Sequence, residues 1–173
     1  MFTRNGGDLI MIFGEEKLRQ TFSNYDDGQY QPLGIDLKLE RAELMSGDFM
    51  GICGIIDGEK KLPKYYELNL TDDGQYVLQH DQVYILDLGY MEIPKDTACF
   101  FWLRSTFARM GLFMSDAVGD AGFKGNIKVC VKPMLTDIVV NQGERVVQAV
   151  FFQATRSGEY DGSYQEPQIS EGE

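Results

Sequence analysis

The chain has 173 residues and a mass of 19.6 kDa, with 16 Lys and Arg against 27 Asp and Glu, a formal charge of −11 and a pI near 4.5. That length suits one domain whose core needs no disulfide or metal staple, and a composition 43% hydrophobic and 12% aromatic excludes a disordered or collagen-like chain. The acidic balance argues against nucleic acid and anionic membrane as partners, since both are held chiefly through Lys and Arg.

In chain order, residues 1–10 (MFTRNGGDLI) lack the apolar core of a signal peptide, and no apolar run reaches the ~20 residues of a membrane span. The chain is therefore expected in the cytoplasm. Met11-Ile-Phe-Gly reads as a second start, which makes residues 1–10 a candidate leader extension. Glu15–Phe22 has Leu18 and Phe22 at i, i+4 and predicts a helix. Turn signals follow at Asp26-Asp27-Gly28, Ser46-Gly47, Asp57-Gly58 and Asp72-Asp73-Gly74. The pentapeptide DDGQY recurs at 26–30 and 72–76 with unlike surroundings, a reused turn and not a structural repeat.

Between these turns lie β-rich runs, among them Gly34–Leu39, Gln82–Leu88, Thr97–Leu103, Asn126–Lys132 and Arg145–Gln153. Asn126–Lys132 alternates cleanly: Ile127, Val129 and Val131 face one way, Lys128, Cys130 and Lys132 the other. A short helix is predicted over Ser105–Met110, with Ser105 as N-cap and Gly111 at C′. Asp120-Ala-Gly-Phe-Lys-Gly125 reads as a hairpin loop. Many short strands at this spacing predict an all-β barrel or sandwich over residues 11–155. Residues 156–173 lose the apolar pattern, carry five acids and one base, and are expected to form a mobile tail.

The chemistry-bearing residue types are few. Cys53, Cys99 and Cys130 are scattered without a CxxC pair, as suits a reducing compartment. With one histidine, His80, a zinc site of the usual kind is close to excluded, and a Ser–His or Cys–His nucleophile would have to use that residue. Hydrolytic chemistry here relies on carboxylates, a hard ion such as Mg²⁺, or both. Four segments gather glycine, a carboxylate and a cation beside strands: Gly34-Ile-Asp36-Leu, Arg104-Ser-Thr-Phe-Ala-Arg-Met-Gly111, Gly119-Asp-Ala-Gly-Phe-Lys-Gly-Asn126 and Gly143-Glu-Arg-Val-Val-Gln148. Singly each has a plain reading: an edge-strand charge, a helix cap with a solvated cation, a loop and a turn.

In their order and spacing the segments GIDLKL, RSTFARMG, GDAGFKG and GERVVQAVF resemble the deoxyuridine triphosphatase (dUTPase) / deoxycytidine triphosphate (dCTP) deaminase family, especially its archaeal-type branch. The likeness runs over roughly 11–165 and is closest at 98–152, and the tail Tyr160-Asp-Gly-Ser-Tyr164-Gln165 looks like the deaminase type. The resemblance implies a dUTPase-like distorted jelly-roll (β-clip) barrel with one or two short helices, a homotrimer with sites between subunits, and Mg²⁺ with a deoxyuridine nucleotide. It implies Asp120 as the carboxylate that takes the proton of the attacking water. Phe123 would lie under the deoxyribose, with Gly119 and Gly125 in the backbone that reads the base. Arg104, Ser105, Thr106 and Gln148 would hold phosphates. Asp36 would fix a water or Mg²⁺, and Tyr160, Tyr164 and Gln165 would belong to a lid.

The chain departs from the family pattern at Gly119, where Ile is usual, and at Leu103, where Gly precedes Arg-Ser. The Arg-Gly-Ser-Gly-Gly-Phe-Gly lid of many triphosphatases gives way to the acidic tail, in which Arg156 is the one cation. The deaminase branch carries a Glu ten residues after the hairpin Asp; that place here is Cys130. The expectation is therefore a dUTP diphosphatase. The alternatives are a dCTP deaminase or bifunctional enzyme, with an acid such as Asp116 reaching the ring, and a catalytically weak nucleotide-binding member of the fold.

Overall fold

The computed structural model of the protein describes residues 11–45, 53–154, 160–162 and 164. The candidate leader 1–10, the Ser46-Gly47 turn signal, Gln165 and most of the tail lie outside these. The elements in chain order are α1 (Glu15–Thr21), a 3₁₀ turn (Asp27–Gln29), β1 (Tyr30–Gln31), β2 (Gly34–Lys38), β3 (Arg41–Met45), β4 (Gly54–Ile56), β5 (Glu59–Lys61), β6 (Tyr65–Glu67), β7 (Gln75–Leu78), β8 (Tyr84–Glu92), β9 (Thr97–Leu103), α2 (Ser105–Arg109), β10 (Leu112–Met114), β11 (Ala117–Gly119), β12 (Lys124–Pro133), β13 (Ile138–Asn141) and β14 (Arg145–Gln153).

Two five-stranded sheets, ordered β1-β2-β14-β9-β11 and β10-β12-β8-β3-β6, account for most of these; β13-β7 and β4-β5 are two-stranded ribbons. Every pairing is antiparallel, so each strand can bury one face and wet the other. The alternation expected at 126–132 is present: Ile127, Val129 and Val131 are buried while Lys128 is exposed. They join Leu86 and Ile35, Leu37, Val147 and Phe151 of the other sheet in one core cluster. Leu18 of α1 is buried in it too, and Phe22 packs on Phe151 with ring centroids 4.4 Å apart.

Local readings mostly hold, with instructive shifts. The strand expected at 82–88 begins at Tyr84, after Asp81 takes a positive φ of 62°, and runs on to Glu92 because Gly89 supplies a φ of 86° mid-strand. The two DDGQY copies take different turns. In the first, Asp26 and Gln29 form a capping box on the 3₁₀ turn; the second places Gly74 at φ 72° ahead of β7. In α2 the N-cap position falls on Arg104, whose side chain makes no cap bond, and not on Ser105, while Gly111 does end the helix at φ 82°.

The DAGFKG segment is not a hairpin. β11 pairs with β9 and β12 pairs with β8, so residues 120–123 carry the chain from one sheet to the other. The Phe123 N–H donates to the Asp120 carbonyl at 3.1 Å, and Gly122 and Phe123 are tied to Ile93 by backbone bonds of 3.1 and 2.8 Å. A Cβ at Gly119, just before Asp120, would run into Cδ1 of Ile93, which fills that space. Among the described residues no helix is long and apolar enough to cross a membrane.

Candidate functional site

The residues singled out in the sequence gather in two places. The first is a polar cluster on the β2-β14-β9 side of one sheet. Asp36 on β2 lies opposite Gln148 on β14, which in turn lies opposite Trp102 on β9. The Asp36 carboxylate is buried, with Arg104 Nε 3.0 Å and Arg145 Nη1 3.6 Å from Oδ2, and Gln148 Nε2 donating to Oδ1 at 3.4 Å. Burial pushes the Asp36 carboxyl up, against the pull of the two guanidinium groups and Gln148. Arg104 also donates to the Arg145 carbonyl at 2.9 Å and lies 3.7 Å from Glu144. Ser105 and Thr106 are exposed at the start of α2.

The second place is a cavity of about 650 Å³ under the sheet-crossing turn. It is lined by Gly119, Asp120 and Phe123 from that turn, by Asn126, Ile127 and Lys128 from β12, and by Tyr160 and Tyr164 from the tail. Glu43, Leu62, Tyr65 and Ile85 come from the neighbouring strands and loop. Asp120 is exposed, and among the described residues no donor binds its carboxylate, so both oxygens are available as acceptors. Phe123 meets Tyr160 edge-on at 5.5 Å, and the Tyr160 N–H donates to the Ala121 carbonyl at 3.0 Å. Tyr164 is exposed, with Lys60 Nζ 5.2 Å from its ring centre. Gly125 is buried on β12 opposite Met91 and does not line the cavity.

Within one chain these two places stay apart. β2 and β11 are separated by three strand spacings, about 14 Å, and Gly119 sits about 10 Å further along the sheet than Asp36, from the register through β14 and β9. Of the predicted site residues, Gly119, Asp120, Phe123, Tyr160 and Tyr164 share the cavity, whereas Asp36, Arg104, Ser105, Thr106 and Gln148 do not reach it.

As a metal ligand Asp36 fits poorly. A dication there would face two guanidinium groups that already neutralise the carboxylate, and among the described residues no group of three His, Cys, Asp or Glu is placed to hold an ion. Cys130 faces the same side of β12 as Lys128 but does not line the cavity; burial pushes its thiol up, which keeps it protonated. Asp116 is exposed and likewise outside the cavity.

Three residues that motif reasoning passed over belong here. Glu43 lines the cavity with its carboxylate 3.3 Å from Lys128 Nζ, and Tyr65 lines it from β6. Both arrive through cross-strand pairing between distant segments, for which the sequence holds no local signal. Asp87 does leave one: a lone acid inside the apolar run Tyr84-Ile-Leu-Asp-Leu88. It is buried, and Asn126 Nδ2 donates to it.

A family model described as dCTP deaminase-like matches residues 12–154. A probable deoxyuridine 5'-triphosphate nucleotidohydrolase of Methanopyrus kandleri is 43% identical over 157 residues, 89% of this chain and 99% of that protein. A dCTP deaminase of Sulfurisphaera tokodaii is 29% identical over 137 residues, 76% of this chain and 71% of that one. Among solved structures, the 2'-deoxycytidine 5'-triphosphate deaminase of Agrobacterium tumefaciens superposes with a TM-score of 0.67 at 22% identity. That match covers 84% of this chain, which spans about half (49%) of the Agrobacterium chain.

Proposed function

Because the chain belongs to the dCTP deaminase-like family, we propose that it is a dUTP diphosphatase, hydrolysing dUTP to dUMP and pyrophosphate. The observation that carries this reading is the exposed Asp120 carboxylate at the cavity, which no donor binds among the described residues, while on β12 the candidate deaminating position holds the Cys130 thiol instead of an acid. The 43% identical Methanopyrus kandleri relative bears the corresponding name. In the reaction a water oxygen attacks the α-phosphorus, its proton passes to Asp120, and the bond to the β-phosphate breaks to release pyrophosphate. Phe123 supports the deoxyribose, and the base lies along β12. Mg²⁺ would come bound to the triphosphate and would neutralise part of its charge; a protein-held ion at Asp36 does not fit.

The separation of Asp120 from Arg104, Ser105, Thr106 and Gln148 supports a site completed by a second copy of the chain. The phosphate-binding cluster of one subunit would then face the cavity of its neighbour in a homotrimer of jelly-roll barrels. The Tyr160 contacts with Ala121 and Phe123 support the tail as a lid over the nucleotide. Gln165 belongs to that lid by resemblance, and the cytoplasm is the compartment proposed.

A deaminase reading keeps one observation: Glu43 places a carboxylate in the cavity, although Lys128 neutralises it. Product analysis of the purified chain with Mg²⁺ separates the readings. dUMP and pyrophosphate from dUTP, with dCTP untouched, support the diphosphatase. Ammonia from dCTP overturns it in favour of the deaminase, and binding of dUTP without turnover overturns it in favour of a binding-only member.

A further inference from the structure

We infer that Asp87 locks the side-chain amide of Asn126 so that its carbonyl oxygen is offered to the cavity, where it selects uracil over cytosine by accepting the N3–H of the base. This rests on the proposed dUTP site. Asp87 is 1% exposed, an unusual place for a carboxylate unless it is fully bonded. It is: Asn126 Nδ2 lies 3.1 and 3.0 Å from its two oxygens, the Gly89 N–H donates to Oδ1 at 3.0 Å, and Arg41 Nη2 donates to Oδ2 at 2.9 Å. Burial pushes the Asp87 carboxyl up, but the bonds from Asn126, Gly89 and Arg41 together outweigh it and hold the group below its ordinary value.

An ionised carboxylate only accepts hydrogen bonds. The Asn126 amide is therefore held in one orientation, since a flip would press its oxygen against two acceptors. With Nδ2 committed, Oδ1 is the polar atom left to the cavity that Asn126 lines beside Asp120 and Phe123. The backbone is shaped for this. Asn126 pairs with Tyr90 and Lys128 with Asp87, two steps on β12 against three on β8, and Gly89 at φ 86° takes up the extra residue. Such a bulge re-aims a side chain next to a site. A uracil linked through N1 has one ring donor, N3–H, between two carbonyls. Cytosine presents a lone pair at N3, and an acceptor facing it is left unpaired.

The test measures binding of dUDP and dCDP by calorimetry, and pyrophosphate release from dUTP and dCTP, for the wild-type chain, Asn126→Ala and Asp87→Asn. Asn126→Ala leaves Asp87 its Gly89 and Arg41 partners, so the fold is expected to survive even where Asp87→Asn does not. The expected result for Asn126→Ala is a loss of about ten- to a hundredfold in dUDP affinity and in kcat/KM for dUTP, expressed in KM, with dCDP affinity changed by less than about threefold. Asp87→Asn, acting through Asn126 as a positioning residue, narrows the same ratio. Equal losses for both bases, or an unchanged ratio, overturn the inference. A wild-type chain that releases no pyrophosphate from dUTP overturns the proposed function instead, and the two diphosphate affinities still decide the inference.

Discussion

Two carboxylates that the sequence singles out are handled in opposite ways, and the difference sets what each can do. Asp120 is exposed and has no donor on its carboxylate among the described residues, while Asp36 is buried between Arg104 and Arg145. Asp120→Asn removes a proton acceptor and little else. It is expected to lower turnover by about 10²–10⁴ while nucleotide affinity survives, as single-turnover kinetics and calorimetry would show; an unchanged rate would remove Asp120 from the chemistry. Arg104→Ala, by contrast, leaves the buried Asp36 with longer contacts only, and is expected to cost about 1–3 kcal/mol of stability in urea unfolding without nucleotide. Asp87 sets a pH dependence. Its carboxyl is held below the ordinary value in the folded chain, so its stabilising contribution is full above about pH 4 and is lost as pH falls through the lowered value. Asp87→Asn should flatten this acid limb of the melting curve; an unaltered limb would assign acid sensitivity to other groups.

The elements show where a sequence speaks and where it is silent. β12, β9, β14 and both helices were legible because alternation, i/i+4 pairing and a C′ glycine are local patterns. The partner of β11 was not legible. Residues 117–126 have glycines at hairpin spacing, and only the non-local pairings, β11 with β9 and β12 with β8, make the segment a crossing. The Asp120 and Phe123 motif could thus be named from the sequence, while Glu43 and Tyr65, brought to it by β3 and β6, could not. Packing at this scale predicts a contrast. Leu86→Ala on β8, fully buried, is expected to cost about 2–5 kcal/mol in chemical unfolding. Thr136→Ala, on an exposed loop, should stay within about 0.5 kcal/mol. Comparable costs would mean that the core is not where the structure puts it.

At the scale of the molecule, a chain of charge −11 is proposed to take a polyanion, and its phosphate-facing cations lie on a different part of the sheet from its water-activating acid. Shared sites predict complementation. Asp120→Asn and Gln148→Ala, each weak alone, should regain activity when co-refolded, because some sites then combine one intact half from each chain; a mixture no better than its components would place each site within one subunit. Light scattering should accompany this, with a mass of about three times 19.6 kDa expected in solution. The sheet-crossing turn carries a last consequence. Asp120 rides on a joint anchored at one end to β11 of one sheet and at the other, through Phe123 and Ile93, to the β8-β12 ladder of the second. A slide of one sheet over the other therefore displaces the acid before any strand unzips. Heating should silence hydrolysis ahead of the calorimetric transition, and remote core substitutions between the sheets should register as lost kcat in protein that is still folded.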